Sequence, residues 1–179
     1  MATALVLLAE GFEELEAVTI IDVLRRGEVT VTTASLGAER VTGSHQISLQ
    51  ADALLDAVTV ESFDALVLPG GPGARTLRED ARAQATIKRA AAAGKLLAAV
   101  CAAPTALDAA GVLAGKRATS YPGSALPSAH WVQESVVVDG NVITSRGPGT
   151  SMAFALAVVE RLSGAAIAKA TAERLLFTP

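Results

Sequence analysis

The 179-residue chain has one cysteine, Cys101, so it cannot form an internal disulfide and is not a disulfide-stapled secreted scaffold. Aromatic residues are scarce, with four Phe, one Trp and one Tyr, and 15 Lys and Arg stand against 18 Asp and Glu for a net charge of −3. With neither a basic stripe nor stacking surfaces, the chain is not built to grip nucleic acid. No apolar run approaches the roughly 20 residues that span a bilayer. The apolar stretch 4–9 is short and has no basic residues before it, unlike a secretion signal. These absences lead to the expectation of a cytoplasmic protein with no nucleic-acid or membrane partner. Aliphatic residues are what the chain has in plenty. At 51% hydrophobic and 18% charged it can bury a substantial core, and residues 1–179 are expected to form one domain.

Apolar runs and helical periodicities alternate along the chain. Residues 3–9 read as a buried strand. Residues 13–26 read as a helix, with Leu15, Val18, Ile21 or Asp22, and Val23 at helical spacing, and residues 28–35 as a β-branched strand. Polar-interrupted segments over 41–49 suggest an excursion hairpin. Residues 64–68 form another strand, stopped by Pro69-Gly70-Gly71-Pro72-Gly73, and a helix follows over 81–93. A strand over 96–100 runs into a helix reaching about 110. Shorter segments come next at 117–120, then 136–138 and 142–145 around the turn Asp139-Gly140-Asn141, and helices over 151–162 and 165–176 close the chain. Strands alternating with helices predict an α/β fold, a doubly wound parallel sheet with helices on both faces. The strand ends at 9–16, 68–73 and 100–104 then meet on one rim, where such sheets bind ligands.

Cys101 sits at the last of these ends. The run Leu96-Leu97-Ala98-Ala99-Val100 is continuous, as a fully buried parallel strand requires, and Pro104 suits the first turn of the next helix. Backbone N–H groups at that junction point toward the sulfur and predict a depressed thiol pKa. A drop of about three units would raise the thiolate fraction roughly thirtyfold and cost roughly twentyfold in nucleophilicity. Turnover therefore calls for stabilisation of a carbonyl oxygen as well. A cysteine in an apolar run can also be a small buried hydrophobe. The acids Glu13, Glu14 and Glu16 crowd the first turn of the first helix, where complementing the helix dipole accounts for most of them.

Glu13-Glu14-Leu15-Glu16, Leu68-Pro69-Gly70-Gly71, Cys101-Ala102-Ala103-Pro104-Thr105 and Thr144-Ser145-Arg146-Gly147-Pro148-Gly149-Thr150-Ser151 occur together in this order. The combination resembles the ThiJ/PfpI superfamily, within it the Parkinson-disease protein deglycase family, and a bacterial YajL-like branch in particular. The resemblance covers almost the whole chain. It implies a flavodoxin-like, class I glutamine amidotransferase-like fold, and a homodimer. It also implies that Cys101 is the reactive cysteine, with Glu16 as a protonated carboxyl bonded to its sulfur. The segment Gly70-Gly71 and Ala102 would supply the N–H groups of an anion pocket. Arg26 falls where the family has an arginine, Ser145 begins a loop near the site, and His45 occupies a place where the partner subunit can supply an arginine. In many members a histidine precedes a proline after the cysteine helix; here that position is Tyr121, before Pro122. Neither His45 nor His130 replaces it, and Ala102 stands where the protease branch has its histidine.

The expected chemistry is attack of Cys101 on a reactive dicarbonyl such as methylglyoxal. Glu16 would shuttle protons through an enediol toward lactate, with no metal or organic cofactor. The resemblance also implies repair of glyoxal-modified protein amino groups through the same intermediate. The alternative is a redox-sensing stress protein with chaperone-like activity, because no second cysteine could intercept an oxidised Cys101. An inert cysteine would have no need of a carboxyl beside it, so Glu16 separates both readings from a purely structural one.

Overall fold

The structure, a computed structural model, describes residues 1–178. It runs β1 (Thr3–Leu8), α1 (Glu14–Arg26), β2 (Thr30–Ser35), β3 (Arg40–Thr42), β4 (Ser48–Gln50), β5 (Ala53–Leu54), β6 (Ala65–Leu68), α2 (Ala74–Glu79), α3 (Ala81–Ala92) and β7 (Leu96–Val100). It continues with α4 (Pro104–Ala109), β8 (Arg117–Ala118), β9 (His130–Trp131), β10 (Val136–Asp139), β11 (Val142–Ser145), α5 (Ser151–Ser163) and α6 (Ala165–Arg174). Seven strands form one sheet in the order β10-β11-β7-β6-β1-β2-β5, parallel except that β10 runs antiparallel to β11. This is the expected doubly wound sheet, with an antiparallel edge strand.

Each central strand reads as a continuous apolar run because both of its faces are covered. Alternate residues point to opposite sides. Ala4, Val6 and Leu8 of β1, Ala65 and Val67 of β6, and Ala98 and Val100 of β7 pack with α1, α5 and α6. Leu5 and Leu7, Leu66 and Leu68, and Leu97 and Ala99 face the layer of α2, α3 and α4. β1 has β2 on one side and β6 on the other, so the chain leaves it in both directions and a crevice opens at the carboxyl ends of β1 and β6. The loop after β7 borders the same crevice.

The hairpin expected over 41–49 forms as β3 and β4, antiparallel, with Arg40 opposite Gln50. It folds back over the start of α1: Gly11 N–H donates to Thr42 C=O at 2.8 Å, and Ser44 N–H to Phe12 C=O at 2.9 Å. The apolar stripe read from the sequence of α1 is corrected by the structure. Leu15 and Val18 face outward, 65% and 46% exposed, whereas Ala17, Ile20, Val23 and Leu24 are buried together with Glu14 and Glu16. The helix turns two of its acids inward because they have partners there. β2 begins at Thr30 rather than residue 28, since Glu28 is held in the left-handed region at φ 62° as the chain leaves α1. Among the described residues no helix is long and apolar enough to cross a membrane.

Candidate active site

Cys101 follows β7 directly and has φ 63°, left-handed backbone that a side chain adopts only when its surroundings hold it there. Those surroundings are explicit. Cys101 N–H donates to Ser145 C=O at 3.0 Å, continuing the β7–β11 ladder, and Cys101 C=O accepts from Tyr121 N–H at 2.8 Å. The cysteine is thereby fixed on both sides at the top of the sheet, 7% exposed.

Glu16 comes from the first turn of α1, which Glu13 caps by accepting Glu16 N–H at 2.8 Å. The Glu16 side chain is fully buried and its Oε2 accepts Gly70 N–H at 2.7 Å. Its Oε1 is buried without a hydrogen-bond partner, and the Cys101 thiol lies close enough for thiol and carboxyl to shift each other's pKa. Gly70 makes this approach possible. A Cβ there would stand 2.6 Å from Cys101 Cβ and 2.8 Å from Glu16 Oε2. Gly71, at φ 82°, and Ala102 present their backbone N–H groups to the sulfur.

Burial, with a smaller contribution from the Glu13 charge, pushes the Glu16 carboxyl up to about 7, against the pull of the Gly70 N–H and the Cys101 thiol. Burial also pushes the Cys101 thiol up, to about 12, and the neighbouring Glu16 charge adds to the rise, while the Gly71 and Ala102 N–H groups oppose it. The low thiol pKa expected from the strand-helix junction is therefore corrected: α4 has its first turn here, but desolvation and a carboxylate outweigh the N–H groups. The Coulombic part of the rise exists only while Glu16 is ionised. Below about 7 the pair accordingly keeps both protons, and above it the pair holds one proton and one negative charge. Moving that proton from sulfur to Glu16 costs no second charge and places the charge where Gly71 and Ala102 point.

Tyr121 is half exposed and holds the cysteine through its backbone, with its ring across from Gly147. Ser145 is buried and acts through its carbonyl. Its hydroxyl donates to Ser135 C=O at 2.7 Å and meets Thr150 Oγ1 at 2.7 Å, tying down the loop that follows β11. Two expected site residues lie elsewhere in the single chain. Arg26 is in the last turn of α1, bonded to Asp22 at 2.7 Å. His45 is exposed on the β3–β4 turn, its Nδ1 2.9 Å from Glu14 Oε2.

Glu14 closes that turn onto α1, accepting the backbone N–H groups of His45 and Ile47 as well. Burial alone would raise its pKa, but the bonds from His45 and Ile47 bring it down to about 2. In return the Glu14 hydrogen bond raises the imidazole of His45. Glu13, Glu14 and His45 bring potential metal-ligand atoms within 4.8 Å of one another. Glu13 Oε2 is engaged by the α1 cap, Glu14 Oε1 by backbone N–H groups of the turn and Glu14 Oε2 by Ser44 and His45, so the trio reads as a clasp. Two residues that the sequence pattern did not single out also border the site, Arg75 and Arg78 of α2, which line a cleft with Gly71 and Ala102.

Fold and site together define a flavodoxin-like protein centred on a cysteine held at a strand-helix elbow, with a buried glutamate beside it. The chain belongs to the DJ-1/PfpI family, whose profile matches residues 2–161. It is 42% identical over 180 residues to the Drosophila melanogaster protein dj-1beta, covering 97% of this chain and 96% of that one. The crystal structure of Drosophila DJ-1beta superposes with a TM-score of 0.94 over 99% of each chain at 41% identity. A Toxoplasma gondii DJ-1 structure, described as oxidized, superposes at 0.92 over the full length of both at 37% identity. A protein named deglycase from Pyrococcus abyssi is 37% identical over 154 residues, covering 84% of this chain and 93% of that one. Two Arabidopsis thaliana DJ-1 homologs, B and A, are 44% and 42% identical, and this chain spans only 38% and 47% of their lengths.

Proposed function

We propose that the protein is a cofactor-independent enzyme that processes reactive dicarbonyls, converting methylglyoxal to lactate or removing the same groups from glycated proteins, as a protection against carbonyl and oxidative stress in the cytoplasm. The observation that carries this reading is the Cys101–Glu16 pair beneath two inward-facing N–H groups. Glu16 takes the thiol proton as sulfur adds to the aldehyde carbon, and the Gly71 and Ala102 N–H groups hold the oxygen of the hemithioacetal. Glu16 passes that proton on to the hemithioacetal oxygen and, ionised again, removes the C1 hydrogen to give an enediolate; returning the proton to C2, while the C1 hydroxyl proton passes to the C2 oxygen, leaves a lactoyl thioester. Water then cleaves the thioester, releasing lactate and restoring the thiol. The two carbons exchange oxidation states within the substrate, so no external oxidant or reductant is needed. The name of the Pyrococcus relative supports the deglycase form of this activity. We take the protein to act as a homodimer. The apolar Leu15, Val18 and Ile47, exposed on α1 and the turn clasped to it, support that assignment.

The test is lactate formation from methylglyoxal by the purified protein and by Cys101→Ala. Turnover that vanishes in a folded Cys101→Ala variant is the expected result. No turnover above that variant's background overturns the proposal.

The oxidized state of the Toxoplasma relative favours a second use of the same residues. Peroxide would convert Cys101 to sulfenic and then sulfinic acid, and the chain has no other cysteine to divert it. Mass spectrometry of the peroxide-treated protein would show two added oxygens on Cys101 if the cysteine is a sensor, and none if it is inert.

A further inference from the structure

Two arginines on α2 line a cleft shared with Gly71 and Ala102, the neighbours of the cysteine. The cleft, about 410 Å³, is lined by Gly71 and Ala102, whose N–H groups face Cys101, together with Arg75, Arg78 and Thr105. The arginines are three residues apart and so share a face of α2. They have a single carboxylate between them. Arg75 Nε donates to the two Glu79 oxygens at 3.1 and 3.2 Å, and Arg78 Nη2 donates to Oε1 at 3.0 Å. One positive charge is left over. Among the described residues, Arg75 Nη1 and Nη2 and Arg78 Nε and Nη1 take part in no hydrogen bond. Among the described residues no carboxylate lines the cleft, although the chain as a whole carries −3. The acids of the site, Glu13, Glu14 and Glu16, all belong to the start of α1 and none of them lines the cleft.

We propose that Arg75 and Arg78 form an anion subsite that selects, for Cys101, electrophiles whose carbon chain ends in a carboxylate. A carbonyl held by the Gly71 and Ala102 N–H groups leaves the rest of a substrate pointing along this cleft. Methylglyoxal offers only a methyl group there. An α-oxoaldehyde extended by a short chain with a terminal carboxylate would use the cleft and the free guanidinium donors together. The subsite deepens the dicarbonyl-processing reading, and it rests on that reading only for the reaction that follows binding. Both arginines are exposed, so salt screens their effect. Selection of about fivefold is expected rather than orders of magnitude.

The experiment needs no turnover. Second-order rates of Cys101 alkylation are measured with 3-maleimidopropionate and with its neutral methyl ester, and the acid-to-ester ratio is compared with that of 2-mercaptoethanol. The wild-type ratio should exceed the mercaptoethanol ratio by about fivefold. It should fall to within twofold of it in Arg75→Gln/Arg78→Gln, and also in wild type at 0.5 M salt. The ester rate, measured on every variant, normalises for changes in folding or thiol exposure. A wild-type ratio equal to that of mercaptoethanol overturns the subsite, and so does an elevated ratio that survives the double substitution. Because the readout is alkylation, the subsite stands or falls on it even if the protein fails to convert methylglyoxal.

Discussion

Glu16→Gln should make the protein more stable, increasingly so as pH rises from 4.5 to about 7. In the folded chain Glu16 keeps its proton up to about 7, against 4.5 ordinarily, chiefly because it is buried. Between those values the unfolded chain has released the proton and the folded chain still holds it. The unfolded state therefore binds fewer protons, and stability falls with rising pH. At roughly 1.4 kcal/mol per pH unit, the loss accumulates to about 3 kcal/mol by pH 7 and levels off above it. Glutamine keeps an oxygen for the Gly70 N–H and has no charge to desolvate, so the variant escapes the loss. Other groups leave the difference intact. The low pKa of Glu14 gives stability that disappears only as pH falls from 4.5 toward 2. The raised imidazole of His45 gives stability that is full below 6.5 and fades as pH rises, equally in both proteins. Urea unfolding at half-unit steps from pH 4.5 to 8 measures the stability difference directly. A difference that stays flat across this range would refute the claim that burial holds the Glu16 proton.

Gly70→Ala should damage the site more than the fold. Its Cβ would have to displace Cys101 Cβ and Glu16 Oε2 from 2.6 and 2.8 Å, at a cost of about 1 to 3 kcal/mol. Urea unfolding should show that cost, with Cys101 alkylation changing severalfold relative to wild type. Glu14→Ala should release the β3–β4 turn, seen as faster hydrogen exchange at the His45 and Ile47 amides and unchanged exchange in β7. Leu15→Glu with Val18→Lys should shift the protein toward monomer in sedimentation, since these exposed side chains have no intramolecular role in the core.

The sheet was legible because its strands announce themselves. The runs through Leu5, Leu66 and Leu97 can be continuous only if both faces are covered, and the cysteine strand could be placed for the same reason. α2 was not legible. It has six residues, opens on a Pro-Gly loop and buries only Ala74 and Leu77, too little pattern to register as a helix. With it, Arg75 and Arg78 went unnoticed beside the site. The facing of α1 was misread because Leu15 and Val18 look like core while Glu14 and Glu16 look like surface, and only the β3–β4 turn and Gly70 explain the reversal. The thiol pKa went the same way. A strand-helix junction is visible in sequence, but the desolvation and the Glu16 charge that outweigh it come from an element 85 residues earlier, as the numbers 16 and 101 show. Arg26 and His45 were assigned by resemblance alone, and the single chain leaves both away from the thiol.

Cys101 and Glu16 are held to act as one acid-base unit, and the pH profile of methylglyoxal kcat/KM tests this central claim most directly. Wild type should rise with pH through about 7 as the pair loses its first proton and then level off. Glu16→Gln should lose about 10²- to 10⁴-fold at neutral pH, together with that midpoint. A Glu16→Gln variant that keeps more than about a tenth of the activity with the same midpoint would contradict the claim, because Cys101 would then be working without its glutamate.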